Sequence, residues 1–249
     1  MGARALSKYA YDLHIHSCLS PCGDALMTPP NIANMAYIKG LDIIAITDHN
    51  SARNVRAVCL AASSLPLTVI PGIEVTTAEE IHVVCLFPDC DSAEKAGLEM
   101  EKHLPPIQNR PEYFGEQLIM DENEAVTGNF PFLLSNALDI SIDTLPTLVE
   151  SFGGFCYPAH IDRTSNSILS VFGTLPDKPR FSALEVSRPQ KFFEAAENDG
   201  YRKEHTVVTS SDAHFLADIS EREHLIELEK PTFELLRKAL NKGLDRAFS

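Results

Sequence analysis

Histidines and carboxylates that follow short apolar runs constrain the fold of this chain more than any other feature. Six of the nine histidines stand in or beside runs that the sequence predicts to be strands, whereas chance placement would scatter them over helices and loops. The residues concerned are His14, His16, His49, His82, His160 and His214, with Asp48, Glu74 and Asp212 in the same contexts. A fold that gathers several strand ends would bring these side chains into a single site.

Alternating and apolar runs predict about seven strands interleaved with helices. In the first strand, from Ala10 to Ser17, the alternation places Asp12, His14 and His16 on one face. The other strands are predicted at residues 42–47, 67–75, 81–87, 155–158, 183–186 and 206–210, and helices at 31–39, 54–62 and 232–241. This succession is typical of an α/β barrel, in which functional residues collect at the carboxyl ends of the strands.

The link of residues 76–80 between two of these strands is short. Parallel strands need a crossover of about a dozen residues or more, so the two strands are expected to form an antiparallel hairpin. Such a hairpin would set His82 across from the neighbourhood of Glu74.

Length and composition favour one domain spanning residues 1–249, because 249 residues with 44% hydrophobic residues can bury a single core. The segment of residues 89–150 is richer in polar residues, and we interpret it as a helical insertion or cap. No apolar run approaches the roughly 20 residues of a membrane span, and the N-terminus lacks the apolar core of a secretory signal. The six scattered cysteines are expected to be reduced, and the chain to be soluble and cytoplasmic.

The net charge of -14 predicts weak electrostatic binding to nucleic acid, since that binding depends on Lys and Arg neutralising many phosphates. We therefore expect no long duplex nucleic acid among the partners and no membrane. A small phosphorylated substrate remains compatible with this charge, and the sequence does not indicate the oligomeric state.

Imidazole and carboxylate together suit Zn, Mn or Fe, and a carboxylate can bridge two ions roughly 3.5–4 Å apart. Each motif alone has an ordinary alternative. His14 and His16 would fit an exposed alternating strand, Asp48 a turn cap, Glu74 a surface acid and His82 a core histidine. In combination they favour a hydrolase that holds two or three divalent ions.

The motifs in their order resemble those of the polymerase and histidinol phosphatase (PHP) superfamily of metal-dependent phosphoesterases, over most of the chain. They read Asp12-Leu13-His14-Ile15-His16-Ser17, Ile46-Thr47-Asp48-His49, Pro71-Gly72-Ile73-Glu74 followed by His82, Pro158-Ala159-His160, and Ser211-Asp212-Ala213-His214. The resemblance implies a distorted seven-stranded β/α (TIM-like) barrel with a trinuclear metal site at the carboxyl-terminal face of its strands.

The same resemblance implies a division of the ligands among three ions. His14, His16, Glu74 and Asp212 would hold the first ion, Glu74, His82 and His160 the second, and His49 with His214 the third. Glu74 would bridge two ions. Asp48 would orient a ligand instead of binding metal, because relatives use the adjacent histidine.

One position departs from the pattern of the superfamily. Many relatives place a His or Asp five or six residues after the second histidine, where this chain has Pro21 and Cys22, with Asp24 two residues further on. A Cys22 thiolate would favour zinc, whereas the alternative is a buried cysteine in a turn. Whether Cys22 or Asp24 completes the third site stays open at this point.

The expected reaction is attack of water or hydroxide on phosphorus, since metal binding lowers the pKa of water from about 15.7 to about 7. The catalytic candidates are Glu74, His160, Asp212 and His214, with His160 or His214 protonating the leaving oxygen. Arg163 is the first candidate for binding phosphate and Arg188 a second, weaker one. For Arg163 the alternative is a surface salt bridge to Asp162 or another acid.

The predicted function is therefore that of a phosphatase or phosphodiesterase. Its substrate would be a small phosphorylated molecule such as a nucleotide, histidinol phosphate or a short oligonucleotide. Two alternatives remain open on the sequence alone, which are a metal-dependent hydrolase of C–N bonds on a similar barrel and a metal-binding module without catalysis.

Overall fold

The structure is a computed structural model that describes residues 5–242, and it has a mixed α/β fold. The strands are β1 (Ser7–Ile15), β2 (Ile43–Ile46), β3 (Thr68–Thr76), β4 (His82–Leu86), β5 (Leu118–Met120), β6 (Val126–Asn129), β7 (Phe155–Pro158), β8 (Ala183–Glu185), β9 (Thr206–Val208) and β10 (Leu225–Leu228). The helices are α1 (Pro29–Ile38), α2 (Val55–Ala61), α3 (Cys90–Glu101), α4 (Pro111–Phe114), α5 (Leu145–Ser151), α6 (Ile168–Phe172), α7 (Pro189–Phe192), α8 (Asp199–Glu204) and α9 (Phe233–Leu240).

Six strands form a curled sheet in the order β10-β1-β2-β3-β4-β7. Strands β1, β2 and β3 run parallel, whereas β4 is antiparallel to both β3 and β7, and β10 is antiparallel to β1. The antiparallel hairpin predicted from the short link is confirmed, because Glu74 pairs with Val84 and Thr76 with His82. Both metal-ligand candidates of this hairpin therefore lie near its turn.

Strands β8 and β9 form a separate parallel pair, and two contacts link this part of the chain to β7 and β1 of the curled sheet. The Ile161 amide, just after β7, donates to the carbonyl of Glu185 in β8 at 2.8 Å. On the other side, Ala213, which follows β9, forms a parallel bridge with Ile15 of β1. The mixed α/β class is thus confirmed, while the closed seven-stranded TIM-like barrel stays a prediction.

The central strands are apolar on both faces because helices and loops cover both sides of the sheet. Strand β2, Ile43–Ile46, is fully buried: Ile44 and Ile46 pack in the larger apolar cluster, and Ile43 packs in a second cluster with Phe233 and Leu236 of α9. This burial fixes the strand positions, so the polar residues that follow the strands emerge at one edge.

Asp12 is a buried carboxylate inside β1, and it fixes the loop that carries the last motif. Its Oδ1 accepts the Ser211 amide at 3.0 Å and its Oδ2 accepts the Ser220 amide at 2.9 Å. A buried charge needs such donors to compensate its lost hydration. Asp12 therefore determines where Asp212 and His214 lie relative to β1.

The segment of residues 89–150 is not wholly helical. It contains α3, α4 and α5, but also the β5–β6 hairpin. Gln117 holds this hairpin against the following loop, because its amide donates to the carbonyls of Phe130 and Phe132 and its oxygen accepts the Leu134 amide. The roles of the segment as an insertion or cap, and of residues 1–249 as one domain, stay predictions.

Several elements have no counterpart in the sequence prediction. These are β5, β6, β10 and the short helices α6, α7 and α8, whereas α3, α4 and α5 lie in the segment of residues 89–150 that was expected to be helical. All six cysteines are unpaired. Between residues 5 and 242 the structure has no helix with the length and apolarity that crossing a bilayer requires.

Gly72 lies in β3 between β2 and β4, and we expect its replacement by alanine to destabilise the fold. A Cβ there would lie 2.8 Å from Cγ2 of Thr47 and 3.0 Å and 3.1 Å from the carbonyl oxygens of Ile46 and Cys85. Because two of these three atoms belong to the backbone, the close contacts can be relieved only if the strands move. Gly72→Ala should lower the free energy of unfolding by about 1–3 kcal/mol in urea denaturation.

The matched control is Gly128→Ala in β6, where the nearest atom to the added Cβ is a side-chain carbon of Ile119 at 3.6 Å. This contact is ordinary van der Waals packing, so the control should stay within about 0.5 kcal/mol of the parent. Equal free energies of unfolding for the two variants would contradict the close strand packing at Gly72.

Candidate metal centre

The edge of the curled sheet brings together all six histidines that the strand pattern singled out. His14 and His16 come from the end of β1, His49 from the loop after β2 and His82 from the start of β4. The remaining two, His160 and His214, follow β7 and β9. Neighbouring rings lie close, with centroids 4.2 Å apart for His16 and His214 and 5.3 Å for His82 and His160.

Glu74 lies at the centre of these rings and contacts five of them. Its Oε1 lies 2.9 Å from Nδ1 of His82 and 3.2 Å from Nε2 of both His14 and His160. Its Oε2 lies 3.0 Å from Nδ1 of His49 and 3.3 Å from Nε2 of His16. The Glu74 side chain is 1% exposed, so this carboxylate depends on its neighbours for compensation.

Asp212 forms the second acidic part of the cluster. Its Oδ1 lies 3.0 Å from Nε2 of His16 and 3.2 Å from Nε2 of His14. Its Oδ2 forms an ion pair with Nη1 of Arg163 at 2.6 Å. Asp212 also has a φ of 52°, a left-handed conformation that costs of order 1–3 kcal/mol for residues other than glycine.

His160 is a further residue in this strained region, with a φ of 28°. Its amide donates to Oε1 of the buried Glu185 at 3.1 Å, and this bond holds the unusual backbone. Strain that the surroundings maintain is common where a side chain must point in one direction for function.

Three groups of side chains have ligand atoms close enough to share an ion, all lying within 4.8 Å of one another in each group. The groups are His14, His16, Glu74 and Asp212; His49, Glu74 and His82; and His16, His49 and His214. The first matches the predicted first site. The second group contains His49 in the place where His160 was predicted, although His160 also contacts Glu74. The third group contains His16 in addition to the predicted His49 and His214.

Unpartnered buried atoms show that a cation fits this cluster. Nδ1 of His49, Oε2 of Glu74, Nδ1 of His160 and Oδ1 of Asp212 are buried without a hydrogen-bond partner. Each such atom costs about 1–3 kcal/mol. Two buried carboxylates and several imidazole nitrogens are the donor set of Zn, Mn or Fe, so divalent ions would supply the missing partners.

Electrostatics keep the two carboxylates ionised. Burial raises the pKa of the Glu74 carboxyl, but the charges of His82, His14 and His49 outweigh it and hold that pKa well below its usual range. The pKa of Asp212 is also lowered, with the charge of His14 as the main opposing cause to burial. Both acids are thus in the form that binds metal.

The same interactions raise the pKa of the first two histidines. Burial lowers the pKa of His14, but the charges of Glu185, Asp212 and Glu74 outweigh it and hold that pKa well above its usual range. The nearby carboxylates of Asp212 and Glu74 likewise outweigh burial and raise the pKa of His16. Without metal, protons bound to these histidines supply the positive charge that compensates the carboxylates.

Glu185 is a site residue that the sequence analysis missed. It is fully buried at the end of β8, and its Oε1 and Oε2 lie 3.1 Å and 3.2 Å from Nδ1 of His14. A carboxylate in this position fixes the tautomer of His14 and turns Nε2 towards Glu74 and Asp212. The sequence feature that could have identified Glu185 is that it is an acid inside the strand predicted at residues 183–186.

Asp48 supports His16 in a similar manner, through Ser20. Its Oδ1 accepts the Ser20 hydroxyl at 2.7 Å, and Oγ of Ser20 lies 2.9 Å from Nδ1 of His16. The Asp48 carboxylate also accepts the amide and the hydroxyl of Ser17. These contacts agree with the orienting role that the resemblance implied for Asp48.

Cys22 is exposed at the rim of the cluster beside His49 and His214. Desolvation raises the pKa of its thiol, but hydrogen bonds with His214 and His49 outweigh it and lower the pKa to about 5. Asp24, the other candidate, uses its Oδ1 to accept the Leu26 amide at 2.8 Å within its own turn. The Cys22 thiol thus interacts with two histidines of the third group, whereas the Asp24 carboxylate is engaged in its own turn.

The two arginine candidates lie in different places. Arg163 lines the central cavity of about 120 Å³ with the ligands and pairs with Asp212, not with Asp162. Arg188 lines a larger neighbouring cavity instead. Asp162 joins the two regions, because its carboxylate accepts the amides of Ser187 at 2.8 Å and Arg188 at 2.9 Å.

The fold and the acidic histidine cluster together define an α/β protein whose buried His, Glu and Asp side chains could hold metal ions. The chain belongs to the PHP domain family, which it matches over residues 12–230. The family membership predicted from the motifs is thereby confirmed.

Two curated relatives match part of the chain. A 5'-3' exoribonuclease of Haemophilus influenzae is 33% identical over 79 residues, which are 30% of this chain and 28% of that protein. The 5'-3' exoribonuclease Rnm of Salmonella typhimurium is 37% identical over 84 residues, which are 32% of this chain and 28% of that protein. The matched part is thus less than a third of each relative.

Solved structures with the same fold include the lesion-specific endonuclease PfuEndoQ from Pyrococcus furiosus. The TM-score is 0.65 at 17% identity, over 95% of this chain and 56% of that chain. Endonuclease Q in complex with a 27-mer duplex substrate gives a TM-score of 0.62 at 17% identity, over 95% of this chain and 57% of that chain. At this identity the likeness establishes the fold.

The prediction that long duplex nucleic acid is excluded is wrong. The Endonuclease Q structure holds a 27-mer duplex, with an abasic lesion at the active site, on the same fold. The prediction rested on the net charge of -14, which sums charges over the whole chain. Exposed charges further apart than about 8 Å are largely screened, so this sum does not describe the field at the site.

We expect Glu185→Gln to weaken metal binding about 10–100-fold, because it removes the charge that orients His14 and makes it a better ligand. Metal affinity is measured by calorimetric titration of the metal-free protein with Zn or Mn. The control is Glu227→Gln on the exposed side of β10, which should bind metal like the parent. Equal affinities for the two variants would contradict the orienting role of Glu185.

Apparent metal affinity should rise with pH through and beyond the ordinary imidazole pKa of about 6.5, because ions must displace protons from His14 and His16, whose pKa values are raised. Titrations in two buffers of different ionisation enthalpy count the protons released per ion. An affinity that is independent of pH, without proton release, would show that these imidazoles do not bind the ions.

Proposed function

We propose that this chain is a metal-dependent hydrolase of phosphate esters, acting on nucleotides or nucleic acids. One observation carries the proposal: the buried Glu74 carboxylate contacts five imidazoles while one of its oxygens has no hydrogen-bond partner. Membership of the PHP domain family supports it, as do relatives named as an exoribonuclease and an endonuclease.

The proposed ligands are those that the motifs and the contacts share. His14, His16, Glu74 and Asp212 hold one ion, Glu74 with His82, His49 and His160 holds a second, and His49, His214 and Cys22 contribute to a third. Bound divalent ions supply hydroxide near neutral pH and neutralise charge on the phosphoryl oxygens. Zn, Mn and Fe all suit this donor set, and Cys22 favours Zn.

The residues of the chain itself have three proposed roles. Glu185 and Asp48 orient His14 and His16. Arg163 binds a phosphoryl oxygen with the nitrogens that Asp212 leaves free, because its side chain is 45% exposed and lines the central cavity. A planar guanidinium presents donors in a fork that matches two phosphate oxygens.

His214 is the proposed donor of the proton to the leaving oxygen. Its side chain is 22% exposed, whereas that of His160 is 1% exposed, so His214 lies nearer to where a substrate enters. Its Nδ1 lies 2.8 Å from the carbonyl oxygen of Asp212, which fixes the ring and leaves only Nε2, and in this role Nε2 carries the proton and does not hold the third ion. Proton transfer of this kind typically contributes about 10²–10⁴-fold to a rate.

We propose further that the strands complete the seven-stranded TIM-like barrel. The order would be β1, β2, β3, β4, β7, β8 and β9, with β10 added beside β1. Two contacts support this closure, which are the hydrogen bond from Ile161 to Glu185 and the bridge between Ala213 and Ile15. Such a barrel places every ligand at the same end of the strands.

The test combines elemental analysis with hydrolysis of mono- and diester substrates by the metal-loaded protein. We expect two to three Zn, Mn or Fe per chain, following the three ligand groups. Glu74→Gln should lose bound metal and reduce turnover to the background rate, since it removes the charge shared by two groups. Glu234→Gln on the exposed face of α9 is the control and should keep both properties.

Two results would contradict the proposal. One is a parent protein that is loaded with metal but hydrolyses no phosphate ester. The other is turnover that is indifferent to the loss of Glu74.

A further inference from the structure

A second cavity opens beside the metal centre, and it is larger than the central one. Its volume is about 620 Å³, which is in the range of small-molecule sites. Its lining includes Arg163, Ser165, Arg188 and Lys191. Arg163 and Ser165 also line the central cavity, so a ligand at the metal centre can continue directly into the larger one.

The larger cavity is lined by three cations, in a chain whose net charge is -14. Arg163 pairs with Asp212, but within residues 5–242 no carboxylate lies in ion-pair distance of Arg188 or Lys191. The exposed arginines 53, 56 and 110 show the opposite pattern, since each pairs with at least one carboxylate. Arg188 therefore differs from these arginines, and Lys191, which likewise has no ion pair within the described residues, adds a second cation to the lining of the same cavity.

Asp162 is the one acid in the lining, and its charge is already compensated. Its two oxygens accept the amides of Ser187 and Arg188 at 2.8 Å and 2.9 Å. These bonds also hold the loop that carries Arg188 next to the loop that carries Arg163. Within the described residues the Asp162 carboxylate forms no ion pair with Arg188 or Lys191, so both cations stay available to an anionic ligand.

Ser187 adds a hydrogen-bond donor to the same lining. Its Oγ is buried and has no hydrogen-bond partner in the described part of the chain. A buried hydroxyl without a partner costs about 1–3 kcal/mol, and an anion that accepts from it would remove this cost. Arg188, Lys191 and Ser187 therefore form a set of donors for a phosphate, which we name the cation cleft.

We propose that the cation cleft binds a second, non-reacting phosphate of the substrate, next to the phosphate held at the metal centre by Arg163. This proposal rests on the proposed function, and it names the substrate class: a strand of nucleic acid with at least two phosphates, in contrast to a monophosphate. Arg188 and Lys191 act as binding residues and take no part in the bond cleavage.

The test uses a short single-stranded oligonucleotide in which each linkage in turn is replaced by a neutral methylphosphonate. Bis(4-nitrophenyl) phosphate serves as a substrate with only one phosphate. For the metal-loaded parent protein, a methylphosphonate at one linkage beside the cleaved linkage should raise KM about tenfold to a hundredfold, because the charge-assisted hydrogen bonds to that phosphate are lost. The cleaved linkage itself is left unmodified.

In the variant Arg188→Ala with Lys191→Ala, kcat/KM for the oligonucleotide relative to bis(4-nitrophenyl) phosphate should fall by a similar factor. The variant should also lose its sensitivity to that methylphosphonate, because the contact is already absent. The control is Lys95→Ala with Lys203→Ala, which removes the same charge from positions outside both cavities. It should show the KM pattern of the parent.

Two outcomes overturn the cation cleft. One is a parent whose KM is indifferent to every methylphosphonate, and the other is a variant that keeps the full sensitivity of the parent. A parent that hydrolyses neither the oligonucleotide nor bis(4-nitrophenyl) phosphate would overturn the proposed function first. If the alanine variant does not fold, Arg188→Gln with Lys191→Gln takes its place, and circular dichroism confirms its fold.

Discussion

The contact between the buried Glu74 carboxylate and five imidazoles is the interaction on which the rest of this site depends. The five imidazoles reach Glu74 from four strands, with His14 and His16 both from β1, so the carboxylate is where β1, β2, β4 and β7 converge. A charge buried this deeply is tolerated only when cations or protons compensate it. The raised pKa of His14 and the unpartnered oxygen of Glu74 are two consequences of that requirement.

Around this centre, buried polar residues hold the ligands in place. Glu185 orients His14, the pair of Asp48 and Ser20 orients His16, and Asp12 fixes the loop that carries Asp212. These supports explain how strained backbone persists at the site, since packed surroundings keep it in place. Rigid support of this kind is what metal ligands need for a fixed geometry.

Charge at the site differs from charge over the chain. The total is -14, yet Arg163, Arg188 and Lys191 line adjoining cavities at the metal centre. Screening makes the local cations more important to a bound phosphate than distant acids. This is why net charge misled us about nucleic acid, whereas the order of the motifs correctly indicated the family.

The sequence by itself determined the central strands, the hairpin of β3 and β4 and the ligand candidates. A strand that is buried on both faces is visible in the sequence as an apolar run, and metal ligands are visible as the His and Glu residues that follow such a run. It did not reveal Glu185 as the partner of His14, which lies 171 positions away. Nor did it show that Arg188 lies outside the central cavity that Arg163 lines, or find β10. Those features depend on which distant segments meet, and only tertiary packing decides that.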